Sequence, residues 1–117
     1  MGIVYVEGLV KWRGKEERVR FLVDSGATYT VLRRSLWERL GLEPKRTVEL
    51  ILADGSAVSR KLSEAIIELP PHGEYHSPII LGELEDEDLL GTVTLEIFGL
   101  MLDPLKRVLR PLRAILK

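Results

Sequence analysis

The chain contains no cysteine, no asparagine and no glutamine among its 117 residues. Without cysteine there is no disulfide framework, no thiol nucleophile and no thiolate metal site. The missing amides, with abundant Lys, Arg and Glu, match the composition of proteins from very hot environments. A thermophilic source is therefore expected, and a thermal midpoint of about 45–65 °C would count against it. Long apolar runs are also missing, because charges interrupt every such run well short of the ~18 residues a membrane span needs. The first residues, MGIVYVEGLVKWRG, have no early positive charge ahead of an apolar stretch, so no signal peptide is expected and a cytoplasmic location is the default. Neither sign of charge dominates: 17 Lys and Arg face 18 Asp and Glu, for a net charge of −1. Nucleic acid and membrane are therefore not expected as partners.

What is present suits one globular domain covering residues 1–117. Apolar residues make up 45% and charged residues 30%, and a chain of this length buries roughly two-thirds of its extended surface. Charge is unevenly placed. Glu83, Glu85, Asp86, Glu87 and Asp88 form an acidic run, while after Asp103 only Lys106, Arg107, Arg110, Arg113 and Lys117 carry charge. Two solvated segments are the plain reading; a basic tail that contacts acids of its own or a partner chain is the sharper one.

The pattern is mostly strands. Residues 3–12, 17–23, 28–32, 47–53, 57–69 and 75–81 read as strands from alternation and β-branched content. Arg13-Gly14-Lys15 is a turn, and Asp54-Gly55 is a two-residue hairpin turn. Pro70-Pro71-His72-Gly73 ends the long fifth strand. Pro78 places its strand at an edge or a bulge. Ser35-Leu36-Trp37-Glu38 has the spacing of a capping box, with Gly41 as the left-handed cap of a helix of about two turns. Residues 92–99 suit helix or strand, with Thr92 as a cap if helical. Residues 100–103 are a strand stopped by Pro104, and the last twelve residues are ambiguous.

The chemistry concentrates in Phe21-Leu22-Val23-Asp24-Ser25-Gly26-Ala27-Thr28. Three apolar residues drive a strand inward and deliver a carboxylate at its end. Ser25 adds a hydroxyl, and Gly26 permits close backbone approach and positive φ. Backbone N–H groups of a tight turn can hold an ionised carboxylate, and burying such an acid costs stability, so either its structural purpose is large or its purpose is functional. Asp-Ser-Gly by itself is most often only a turn.

The longer string FLVDSGATYTVL resembles the active-site loop of the retropepsin-like aspartic proteases. Two further features agree with that family. A hairpin with Ala53, Asp54, Gly55 and Ser56 at its tip stands where the family has its flap. Leu89, Leu90 and Gly91 stand where it has two apolar residues and a glycine beside the catalytic loop. TVTLEIFGLMLDP follows as the expected helix and strand. The resemblance covers roughly residues 3–110. It implies an all-β fold, a small closed barrel with one or two short helices and a flap.

The resemblance also implies roles. Asp24 would be the catalytic carboxylate. Ser25 would bond across to its counterpart, while Gly26, Ala27 and Thr28 complete the loop. Residues 53–56 would close over a peptide, and Leu89-Leu90-Gly91 would thread beside the site. Serine replaces the family's commoner threonine, and the flap tip has one glycine where viral enzymes have several. The chemistry needs two carboxylates sharing one proton, and this chain has one such motif. A homodimer with one Asp24 from each subunit follows. Ile3–Val6, the Val108-Leu109 region and the tail 105–117 are candidate interface segments. No metal and no cofactor are implied.

Other residues are weaker candidates. His72 and His76 are held apart by Pro and Gly and fall short of a zinc ligand set. Asp86 and Asp88 lack the spacing of a calcium loop. Asp103 reads as a strand terminator, Trp12 and Trp37 as core or interface aromatics, and Ser25 has no triad to make it a nucleophile. Apolar walls such as Ile51, Ile80 and Leu81 point to apolar substrate side chains. The reading is a homodimeric aspartic endopeptidase acting on peptides or proteins. The alternative is a non-catalytic peptide-binding module on the same fold. A weaker third reading is a scaffold that uses the basic tail.

Overall fold

A computed structural model describes residues 3–112. It is mainly β, with two short helices among the described residues. Strand β1 (Tyr5–Trp12) turns back into β2 (Lys15–Val23) through Arg13 and Gly14, both at positive φ. That is the twist a two-residue hairpin prefers. Every second residue of β2 faces inward, so Val19, Phe21 and Val23 are buried while Arg18 and Arg20 are exposed. β3 (Thr30–Leu32) leads into helix α1 (Arg34–Leu40). β4 (Arg46–Ile51) and β5 (Ala57–Glu68) form a long hairpin, and β6 (Glu74–Leu81) returns along β5. β7 is only Leu89-Leu90, followed by helix α2 (Thr92–Ile97), β8 (Leu100–Asp103) and β9 (Val108–Pro111).

The sheet runs β1-β2-β7-β3-β6-β5-β4, and a further pairing of β1 with β5 joins six of these strands into a ring. Pairing of this kind leaves few open edges. β7 is the keystone: it lies parallel to β2 at Leu22↔Leu89 and Val23↔Leu90, and antiparallel to β3 at Val31↔Leu89. Val10, Phe21, Leu32, Ile67, Ile79 and Leu90 fill the ring without measurable exposure. The outer half of the β4–β5 hairpin leaves the ring and stands over its mouth, with Ile51 71% and Leu52 46% exposed.

Several expectations change on contact with the structure. α1 begins at Arg34, with Arg33 as its cap residue, so Ser35 lies inside the helix and no capping box forms. Partners distant in sequence take the first amides: Asp88 accepts from Arg33 N–H at 2.9 Å and the Glu83 carbonyl from Arg34 N–H at 3.1 Å. Glu38 pairs with Arg34 one turn back instead. Gly41 does take the left-handed cap, at φ 72°. The hairpin tip is a three-residue loop, Ala53–Gly55, because Leu52 N–H reaches the Ser56 carbonyl at 2.8 Å and Gly55 N–H the Leu52 carbonyl at 2.9 Å. Residues 92–97 are helical, and the cap position belongs to Gly91, not Thr92. Pro78 sits inside a two-sided strand, but one residue before the pairing with β3 begins at Thr30↔Ile79. Its missing N–H therefore costs no ladder bond on that side.

The last described residues are held by pairing. β9 lies antiparallel on β8, and Leu112 N–H bonds the Gly99 carbonyl at 2.7 Å. Asp103 accepts the amides of Leu105 and Lys106 at 3.1 Å each, which fits its reading as a terminator. Leu109 packs on the core, whereas Val108 is 47% exposed. Residues 113–117 of the expected tail lie outside the described residues. At the other end, Ile3 and Tyr5 are exposed while Val4 and Val6 pack inward.

Candidate active site

β2 delivers Asp24 to the mouth of the ring. The turn after it is held from three directions. Asp24 N–H donates to the Leu90 carbonyl at 3.1 Å, and Ala27 N–H to the Asp24 carbonyl at 3.1 Å. Gly26 N–H donates to Asp24 Oδ1 at 2.9 Å. From below, the first amides of α2 hold the far side: Thr92 N–H to the Ala27 carbonyl and Val93 N–H to the Thr28 carbonyl, both at 2.9 Å. Asp24 is half-buried, not fully buried as expected, and Ser25, Gly26 and Thr28 are exposed. Gly26 does not take positive φ. Its value is close approach, since a Cβ there would lie 3.2 Å from Asp24 Oδ1.

Gly91 shows the same principle more strongly. A Cβ would stand 2.4 Å from the Tyr29 carbonyl carbon and 2.9 Å from the Thr28 oxygen. Only a glycine lets the end of β7 pass so near the 24–29 loop. Leu89-Leu90 runs beside the end of β2, and the Leu90 carbonyl accepts the Asp24 amide.

A cleft of about 610 Å³ opens above this loop. Asp24, Ala27 and Tyr29 form one wall, Val31 and Ile80 the floor, and Leu50, Ile51, Leu52 and Ala53 of the hairpin the roof. Ile51 and Ile80 therefore line it as expected. Leu81 does not; it turns into the core at 6% exposure. Of the tip residues, Ala53 borders the cleft, while Asp54 and Ser56 brace the turn. Asp54 Oδ1 accepts from Ser56 N–H at 2.9 Å and Ser56 Oγ at 2.6 Å, which holds its carboxyl below the usual carboxylate value.

Ser25 faces the other way. It borders an apolar groove of about 300 Å³ with Leu95, Leu100, Leu102, Pro104 and Leu112. Exposed apolar side chains continue around it at Ile97 and Leu112, 38% and 40% exposed.

Sequence reading missed two clusters. The first is a run of buried hydroxyls under the loop. Thr30 Oγ1 lies 2.6 Å from Thr94 Oγ1, Ser77 Oγ lies 2.8 Å from the same atom, and Gly91 N–H donates to Thr30 at 3.1 Å. The only available signal was hydroxyls inside apolar strands, TYTVL and HSPII. The second is Asp88, whose side chain is 3% exposed and takes both the amide and the guanidinium of Arg33, the latter at 2.5 Å. Burial pushes its carboxyl above the usual value, against the pull of Arg33. Asp86 braces the acidic loop by accepting Glu83 N–H at 2.7 Å. His72 lies in the turn after β5 and His76 on β6, exposed beside Glu64 at 3.8 Å. Trp37 Nε1 donates to the Gly82 carbonyl at 2.8 Å, and Trp12 packs partly on the core.

A ring of strands with a carboxylate at its mouth, a hairpin above and a two-residue strand threaded beside it defines a protease-like fold. The family profile described as Aspartyl protease matches residues 7–92. That span is most of the chain and includes the Asp24 loop, the hairpin and Leu89–Gly91. The chain belongs to the aspartyl protease family. Its fold is similar to that of a retropepsin-like aspartic protease from Rickettsia conorii, with a TM-score of 0.60, 24% identity, and coverage of 88% of this chain and 86% of that one. None of the curated proteins compared with the chain matches it.

Proposed function

We propose that this chain is one half of a homodimeric aspartic endopeptidase, with Asp24 as its catalytic carboxylate. The observation that carries this reading is the placement of Asp24: half-buried, its carboxylate held by the Gly26 amide, and open to a cleft roofed by a hairpin. One carboxylate cannot serve as both base and acid in the same step. In a pair at ~3 Å, like charge forbids double ionisation, so one proton is shared. One Asp24 takes the proton of the attacking water; its twin protonates the peptide carbonyl. The pair titrates jointly, with two apparent pKa values. Ser25, the residue after Asp24, is exposed and borders an apolar groove, which supports a second copy docking there. No metal or cofactor enters this mechanism.

Cleft chemistry supports an extended peptide with apolar side chains, packed between Val31 and Ile80 below and Leu50 and Ile51 above. Cleavage of a mixed peptide library from about pH 3 to about pH 8 tests the reading. Wild type and Asp24→Asn are compared at equal, dimer-favouring concentration. Cuts made only by the wild type are expected. No cuts by a dimeric wild type would overturn catalysis in favour of a peptide-binding module, and a protein that stays monomeric at high concentration would overturn the shared-site mechanism.

A further inference from the structure

Thr30, Ser77 and Thr94 come from β3, β6 and α2, yet their hydroxyls touch in the interior. Their exposures are 0%, 2% and 0%. Polar groups buried this completely must find partners, and each hydroxyl has only one proton to donate. The ends of the run are chemically fixed. Gly91 N–H can only donate, and it reaches Thr30 Oγ1 at 3.1 Å. The Pro78 carbonyl can only accept, and Ser77 Oγ donates to it at 3.1 Å. Between these ends one direction satisfies every proton: Gly91 N–H to Thr30, Thr30 to Thr94 at 2.6 Å, Thr94 to Ser77 at 2.8 Å, and Ser77 to Pro78. Reversing the Thr30–Thr94 bond strands the buried Thr30 proton, which has no other acceptor among the described residues.

We infer that this one-way hydroxyl chain positions the Asp24 loop, with Thr94 as its central positioning residue. The inference rests on the reading of Asp24 as catalytic. Gly91 is the cap residue of α2, and the two amides that follow it hold the Ala27 and Thr28 carbonyls. Fixing Gly91 therefore fixes the floor on which Asp24 stands. Thr94 touches neither the cleft nor Asp24; it acts through Gly91, Thr92 and Val93.

The test compares Thr94→Val, which keeps shape and removes the hydroxyl, with Thr94→Ser, which keeps the hydroxyl. Leu40→Ala, in the core of α1, serves as a destabilised control. Two readouts are taken well below the melting point of every variant. The first is hydrogen exchange at the amides of Gly91, Thr92 and Val93. The second is cleavage, with kcat and KM determined separately. For Thr94→Val, exchange at those amides rises about tenfold or more, kcat falls about ten- to hundredfold, and KM changes little. Thr94→Ser restores both, and Leu40→Ala leaves kcat within about twofold. Unchanged exchange in Thr94→Val, equal behaviour of Val and Ser, or a kcat loss matched by Leu40→Ala would each overturn the inference. A wild type that cuts nothing refutes the enzymatic reading instead, and the exchange readout alone then decides whether the chain holds Gly91.

Discussion

Gly91→Ala isolates a single physical effect. The residue sits at φ −93° and ψ 173°, a conformation open to any amino acid. Backbone strain therefore contributes nothing, and only the added methyl matters. It would lie 2.4 Å from the Tyr29 carbonyl carbon, 2.6 Å from its oxygen and 2.9 Å from the Thr28 oxygen. All three are backbone atoms, so no side chain can rotate away. Restoring contact distances requires the 24–29 loop and the start of α2 to separate by ~1 Å. That stretches the bonds from Thr92 to Ala27 and from Val93 to Thr28, each 2.9 Å. Two backbone bonds at about 1 kcal/mol each, plus lost packing, give about 2–4 kcal/mol. For a chain of this length that lowers the melting midpoint by about 8–16 °C. With Asp24 in the catalytic role proposed above, a ~1 Å displacement of its carboxylate should cost about a hundredfold in kcat. Gly14→Ala is the matched control: nothing lies within 4 Å of the added methyl, but φ is +83°. It should cost about 1–2 kcal/mol of strain and leave kcat unchanged. The assay is a thermal melt of each variant with cleavage rates measured well below both midpoints. A Gly91→Ala protein that melts and cuts like the wild type would refute the close-approach argument.

Asp88 decides between burial and ion pairing. Burial raises its carboxyl above the ordinary value of 3.8 despite Arg33, so the folded state holds that proton more tightly than the unfolded chain. Its contribution is present below the unfolded value and is lost as pH rises through the raised one. Stability of the wild type relative to Asp88→Asn should therefore fall with rising pH, by at most about 1.4 kcal/mol per unit. Denaturant melts across that range check it, and a rise would mean that the Arg33 pair dominates. Asp54 runs the other way. Ser56 lowers its carboxyl below 3.8, so the braced hairpin tip persists above that value and loosens as pH falls through the lowered one. In Ser56→Ala the Asp54 carboxyl should titrate closer to 3.8, followed by NMR.

Signals in the sequence are legible where the physics is local. Phe21-Leu22-Val23 predicts an inward strand, and Asp24 follows at its end because alternation leaves it nowhere else. Gly41 is a left-handed cap because the helix must stop there. The structure departs from the local signal where a distant residue displaces a neighbour. Ser35 and Glu38 have the spacing of a capping box, but Asp88 and Glu83 reach the helix start first. At the hairpin tip, Asp54-Gly55 suggested the shortest turn, and the pairing of Leu52 with Ser56 lengthened it. The hydroxyls of Thr30, Ser77 and Thr94 were invisible as a group, since nothing local distinguishes them from surface threonine and serine. The cleft is legible in its parts, Ile51 and Ile80, but Leu81 does not join them, because neighbouring strand residues face opposite sides.

Leu89-Leu90 also sets the order in which the chain can assemble. Two residues cannot hold themselves as a strand; they are held by β2 and β3, which lie far earlier in the chain. Until residue 90 has emerged and returned, Leu22-Val23 on one side and Val31 on the other have no partner between them. Local hairpins such as β1–β2 and β4–β5 should therefore form early and the ring close late, at the loop-closure cost of its longest-range contact. A chain cut short before Leu89 would display two open apolar edges, the template on which strands from other molecules stack. The segment that completes the floor beneath Asp24 is thus also the one that covers these two apolar edges.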